Sequence, residues 1–207
     1  RLINSLTSND HKRARWAATC CTQARISRSQ LAPRSSSATR SGNSHLFPLG
    51  PFRLEERFRS TIAEAVFPCV GAKSALARGT LKTVSCVSIS SGWDDVRIHR
   101  ELIEWAYEYR SDPGLFRSIA FIFEGPDDLD EHSFEKAMWA RIQSLTDKDA
   151  WLEQPYDERV SSDPSDPHFS LSFGGEAFFV VGMHPKASRP ARRFDSPVMV
   201  FNLHDQF

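Results

Sequence analysis

The last forty residues bring His168, His184 and His204 together with Arg189, Arg192 and Arg193, among segments too apolar to be surface loops. Imidazole nitrogens ligate metals and move protons near neutral pH. Guanidinium groups hold carboxylates in bidentate pairs. His184 stands two residues after Gly182 and directly before Pro185, where it reads either as a ligand or as a turn histidine bonded to a neighbouring carbonyl. His204 reads as a ligand or a strand cap, and His168 as an ordinary surface histidine. Glu176 follows Gly174 and Gly175, and either orients a histidine or substrate amine or is a solvated turn carboxylate. Cys69, between Pro68 and Val70, is either a thiolate donor or a small buried hydrophobe. The three arginines either grip an anion, with Arg193 the most inward because Phe194 and Pro197 anchor that end, or form a solvated loop pairing with Glu176 or Asp195.

These residues need a scaffold to aim them. Phe169, Leu171 and Phe173 alternate with serines, Gly174-Gly175 supplies the positive φ of a tight reversal, and Ala177 to Val181 is β-branched and aromatic, so a hairpin is expected. A further strand is expected at Val198 to Phe201. His184 and His204 would then both stand at strand ends, positioned to share a pocket walled by Phe173, Phe178, Phe179 and Phe201. Upstream, Leu54, Phe58, Ile62 and Val66 recur at helical spacing until Phe67-Pro68. A short helix is expected at Ala72 to Arg78 and a strand at Leu81 to Ile89. Asp94 or Asp95 should cap a helix through Tyr109. Arg117 to Phe123 reads as a central strand, and Ser133 to Leu145 as a helix capped by Asp130 or Ser133. The polar stretch from Asp147 to Pro167 shows no period and reads as a long loop. The fold class is therefore α+β, one domain with a mixed, mainly antiparallel sheet covered by helices.

Charge divides the chain. Residues 1–50 carry eight Lys/Arg against the single acid Asp10, so the remainder is mildly acidic although the whole is neutral. The Arg/Ser-rich start has no sustained apolar period and is expected to be disordered. Residues 51–207 form the domain, without the broad positive face a nucleic-acid binder needs. No apolar run approaches the roughly 18 residues of a membrane span, so the chain reads as soluble and free of the membrane. Four cysteines form no disulfide framework, which favours a reducing, cytoplasmic setting, while the acid-poor start also has the composition of a mitochondrial transit segment. No paired ligand spacing marks a zinc site, and neither GxGxxG nor a Walker loop occurs.

Four segments together resemble the YqcI/YcgG family: FPCVGAKSAL at 67–76, FEG at 123–125, FEKAMWARIQSL at 134–145, and LSFGGEAFFVVGMHPKASRPARRF running into VFNLHDQF. The last is the most specific, and the likeness spans Phe52 to Phe207. It implies haem-dependent N-oxygenation of an amine or guanidine group on a small amino-acid-like substrate, with dioxygen and an electron donor. Under that resemblance His184 is the expected axial iron ligand, with His204 or Cys69 as rivals. Arg189, Arg192 and Arg193 would hold haem propionates or a substrate carboxylate, and Glu176 and His204 would take catalytic roles. The family pattern continues beyond the position of Phe207, so a C-terminally truncated fragment is expected. A non-catalytic haem or small-anion binder, or an inactive remnant, is the alternative.

Overall fold

A computed structural model describes residues 51–114 and 116–206. The expectation for residues 1–50 lies outside them. Of the described residues, those up to Ser162 and from His168 onward form one compact unit. The intervening Asp163–Pro167 is closed by its own bonds, Ser165 N and Asp166 N donating to the side chain and carbonyl of Asp163.

Among the described residues four α-helices, α1 (Pro51–Ala63), α2 (Val70–Ala77), α3 (Asp95–Ser111) and α4 (Glu131–Trp151), pack with strands β1 (Leu81–Ser88), β2 (Ser118–Gly125), β3 (Leu171–Phe173), β4 (Glu176–Met183) and β5 (Val198–Leu203). The sheet order is β1-β2-β5-β4-β3. Only the β1–β2 pairing is parallel, made possible by the α3 crossover, and the other three are antiparallel. The mixed, mainly antiparallel α+β sheet expected from the sequence is what forms.

Because side chains alternate across a strand, each face has its own partners. Leu81, Ala120, Ile122, Val181, Met183, Val198 and Val200 face α1 and α2, where Leu54, Phe58 and Ile62 pack on them. The opposite face meets α3 and α4. There Gly182 approaches Phe134 and Met138 so closely that a Cβ would lie 2.7 Å from the Phe134 ring. Phe121, Phe173, Phe178 and Phe201 form a cluster on this second face, with Phe201 edge-to-face to each of the other three rings. These rings therefore fill core, and of the four aromatics expected to wall a pocket only Phe179 does so.

Several boundaries shift for local reasons. The helix expected to stop at Leu145 continues to Trp151, because Asp149 turns inward to bond His99 and so breaks the apolar period without breaking the helix. Its cap is Asp130, whose Oδ1 accepts Ser133 N at 2.7 Å. Asp94 is the N-cap residue of α3, its carbonyl accepting Ile98 N at 2.8 Å, but its side chain makes no cap hydrogen bond. Its carboxylate instead accepts Val87 N at 2.6 Å and Arg97 at 2.8 Å. The hairpin turns on Gly174 (φ 59°) and Gly175 (φ 83°) as expected, but its first strand is only three residues long.

Candidate functional site

The sheet face beneath α1 and α2 is not fully filled. A cavity of about 180 Å³ remains between Phe58 and Ile62 of α1, the α1–α2 turn at Phe67 and Cys69, and Phe179 and Val181 of β4. Its wall is almost wholly apolar. The exceptions among the described residues are Cys69 at the rim and a polar pair set deep, Ser118 of β2 and Asn202 of β5. Ser118 and Asn202 are direct cross-strand partners. Ser118 Oγ donates to Asn202 Oδ1 at 2.6 Å, and Asn202 Nδ2 reaches Phe179 O only at 3.4 Å. The amide thus keeps a second hydrogen to offer. Cys69 is exposed and starts α2, its Sγ accepting from Ala72 N at 3.4 Å. That corrects the small buried hydrophobe reading.

Sequence reasoning missed Ser118 and Asn202. Each interrupts an apolar strand, RSIAFIF and VMVFNL, and asparagine is disfavoured in strands. That was the signal, but only the register shows that the two interruptions face each other.

The family model for the YqcI/YcgG family matches residues 58–207. The chain belongs to this family. It is also similar to the uncharacterized protein YcgG of Bacillus subtilis (strain 168), 25% identical over 143 residues, which is 65% of this chain and 54% of that protein. The chain thus spans about half the length of the curated relative it matches. No solved structure matches.

Within this YqcI/YcgG domain the residues singled out from the sequence fall in separate places. His184 follows β4 at the end where Met183 pairs with Val198, and His204 follows β5 at the end where Leu203 pairs with Phe178. Six residues of strand, about 20 Å, separate them, so they cannot share a pocket. His184 is buried and stacked on Phe134 with centroids 4.4 Å apart, and its Nδ1 has no hydrogen-bond partner. Burial holds its pKa below the usual histidine value, against the opposing pull of Glu131 and Asp130, while Lys186 lowers it further. His204 is exposed. Cys69 lies on the α1–α2 face, whereas His184 packs against α4 on the other.

The arginines do not converge either. Arg189 is exposed and Arg192 half-buried. Arg193, expected to point inward, is exposed and spends its guanidinium on its own loop, donating Nε to Ala187 O at 2.7 Å. It is Phe194 that turns inward, edge-on to Phe58. Glu176 is not a solvated turn carboxylate. It is buried, accepts Arg159 Nη2 at 2.9 Å, and lies 3.8 Å from Arg110. Arg159 also clasps Asp157 through Nε and Nη2 and reaches Asp205. This ion cluster ties the segment after α4 to the hairpin and the chain end, and it sat unrecognised in the expected loop. Glu176 and the arginine loop sit at opposite ends of β4.

A haem site needs an axial donor, cations for the propionates and a slot for the ring. Neither the cavity nor the open depression beside Arg193 and Phe194 is lined by a histidine. The cavity is also smaller than the roughly 300–1,000 Å³ usual for ligand clefts. The described candidates do not form one haem pocket. Of the candidate donors, His184 is the one that is buried with a ring nitrogen, Nδ1, lacking a hydrogen-bond partner. Among the described residues no helix is long and apolar enough to cross a membrane.

Proposed function

We propose that this domain binds a small, mainly apolar molecule in the cavity between α1, α2 and the sheet. One observation carries the reading: about 180 Å³ of apolar space with a single deep polar pair. Protein interiors pack to crystal density and leave few voids larger than a water molecule. A predominantly apolar lining with a few placed polar groups is the character of small-molecule sites, and the modest volume here limits the occupant to a small molecule. Since a dry cavity of about 150 Å³ accommodates benzene, this one suits about seven or eight heavy atoms. Ligand-observed NMR with toluene tests it. Saturation transfer that disappears in Val181→Phe, which fills the cavity from β4, supports the reading; transfer unchanged by that substitution, or none in the native chain, rejects it.

A second reading is the haem-dependent N-oxygenase implied by the resemblance, acting on a small amine or guanidine substrate. Its support is the unpartnered, buried Nδ1 of His184. Titration with haemin tests it: a Soret band lost in His184→Ala supports it, and no band, or one indifferent to His184→Ala, His204→Ala and Cys69→Ala, removes these donors from consideration.

A further inference from the structure

We infer that the cavity selects an uncharged molecule with one hydrogen-bonding head, a hydroxyl or a primary amide, seated on Asn202 and Ser118. The inference rests on the proposed binding reading and adds the ligand's chemistry. Three observations carry it.

First, the lining among the described residues holds no charged side chain. A carboxylate or ammonium placed there would lose its hydration without gaining a counter-ion, a cost large enough to exclude it. Amino-acid-like zwitterions are thereby disfavoured in this cavity.

Second, the polar pair is incompletely used and offers both kinds of partner. Ser118 Oγ gives its hydrogen to Asn202 Oδ1 at 2.6 Å and retains lone pairs. Asn202 Nδ2 makes one long contact, 3.4 Å to Phe179 O, and retains a hydrogen. An alcohol or amide head can accept from Asn202 and donate to Ser118. A hydrocarbon leaves both unanswered. Ser118 is 2% and Asn202 7% exposed, so water cannot freely make up the loss.

Third, one strand borders the space along much of its length. Phe179, Val181 and Met183 occur at alternate positions along β4 and all line it. The four steps from Phe179 to Met183 span about 13 Å, which gives the floor room for a slender body, such as a benzyl or short alkyl group. Ile62 and Phe67 close over that floor from the helix side.

The experiment compares toluene, benzyl alcohol, benzoate and benzylammonium by isothermal titration and ligand-observed NMR on the native chain, Ser118→Ala, Asn202→Leu and Val181→Phe. Benzyl alcohol is expected to bind about three- to tenfold more tightly than toluene, the range one net hydrogen bond supplies. Both charged probes are expected to be at least tenfold weaker than the alcohol. In Ser118→Ala and Asn202→Leu the alcohol's advantage should vanish while toluene binds as well or better. Should Asn202→Leu fail to fold, the Ser118→Ala result decides alone. Equal affinity for alcohol and toluene in the native chain, or preference for a charged probe, overturns the inference and leaves the binding reading standing. Absence of binding by every probe, or binding that survives Val181→Phe, overturns both.

Discussion

His99 and Asp149 bond 2.9 Å apart in the interior, Nε2 to Oδ1, between α3 and α4. The same carboxylate oxygen accepts Gly174 N at 3.2 Å. One buried acid thus joins two helices to the hairpin turn. In Asp149→Ala, the imidazole and the amide lose their acceptor in a place water does not reach, each costing about 1–3 kcal/mol. Urea unfolding should show a loss of about 2–5 kcal/mol with an unchanged m-value. A loss under 1 kcal/mol would show that the pair is not a structural tie.

The hairpin glycine and the strand glycine should fail for different reasons. Gly174 sits at φ 59°, and a Cβ there would also meet Ile103 at 2.9 Å. Gly182 has no such backbone demand, yet its Cβ would press on Phe134 and on Met138 Sδ at 2.8 Å. Gly174→Ala should cost about 1–3 kcal/mol through backbone and packing together. Gly182→Ala should cost a similar amount through overpacking alone. The discriminating measurement is Gly182→Ala combined with Met138→Ala: relief of the thermal destabilisation there, and no relief when Met138→Ala is combined with Gly174→Ala, is expected.

How far the sequence carried can be judged from such positions. The glycine pair, the α1 stripe and the apolar β2 run announce themselves, because turn chemistry and periodicity are local properties. Asp149 did not, since a polar residue facing inward looks like the end of a helix until its partner, fifty residues earlier, is known. Ser118 and Asn202 likewise acquire meaning only through register. His184 and His204 were correctly placed at strand ends, but an antiparallel sheet puts consecutive strand ends on opposite rims, and the sequence between β4 and β5 does not reveal which rim each occupies.

His184 predicts a pH dependence. Its folded-state pKa lies below the ordinary 6.5 chiefly because burial disfavours the imidazolium. The unfolded chain therefore binds the proton more readily, and stability must fall as pH drops through 6.5, levelling once the folded value is passed. Glu131 of α4 and its cap residue Asp130 oppose the effect and Lys186 adds to it. The melting temperature should decline from pH 7.5 towards 5. His184→Phe, which preserves the stack on Phe134, should flatten that slope; an identical slope in the variant would assign it to other groups.

The two cysteines of the described domain should react very differently. Cys69 is exposed at the cavity rim, whereas Cys86 is buried and its thiol is pushed up to about 12 by that burial and by the neighbouring Asp94. Thiolate is the reactive form, so Cys86 is doubly protected. Brief iodoacetamide treatment followed by peptide mass mapping should find Cys69 alkylated and Cys86 intact. Modification of Cys86 at a comparable rate in the native protein would contradict its placement on the face beneath α3.

Arg159 holds two buried acids that should respond oppositely to neutralisation. Its guanidinium bonds lower the pKa of Asp157, which also accepts Ala177 N at 2.8 Å. Burial raises that of Glu176, whose neighbouring arginines only partly compensate. Asp157 therefore contributes stability at neutral pH that is lost as pH falls below its ordinary 3.8. Glu176 contributes the other way, since the folded state takes up its proton more readily than the unfolded chain. Asp157→Asn should cost about 2–4 kcal/mol, because it weakens charge-assisted bonds to a guanidinium and removes an acceptor from a buried amide. Glu176→Gln should cost no more than about 1 kcal/mol, since the neutral amide relieves desolvation and keeps an acceptor for Arg159. Urea titrations at pH 7 of both variants check the order. Equal losses would mean that Glu176 is as firmly ionised as Asp157 and that burial does not govern it.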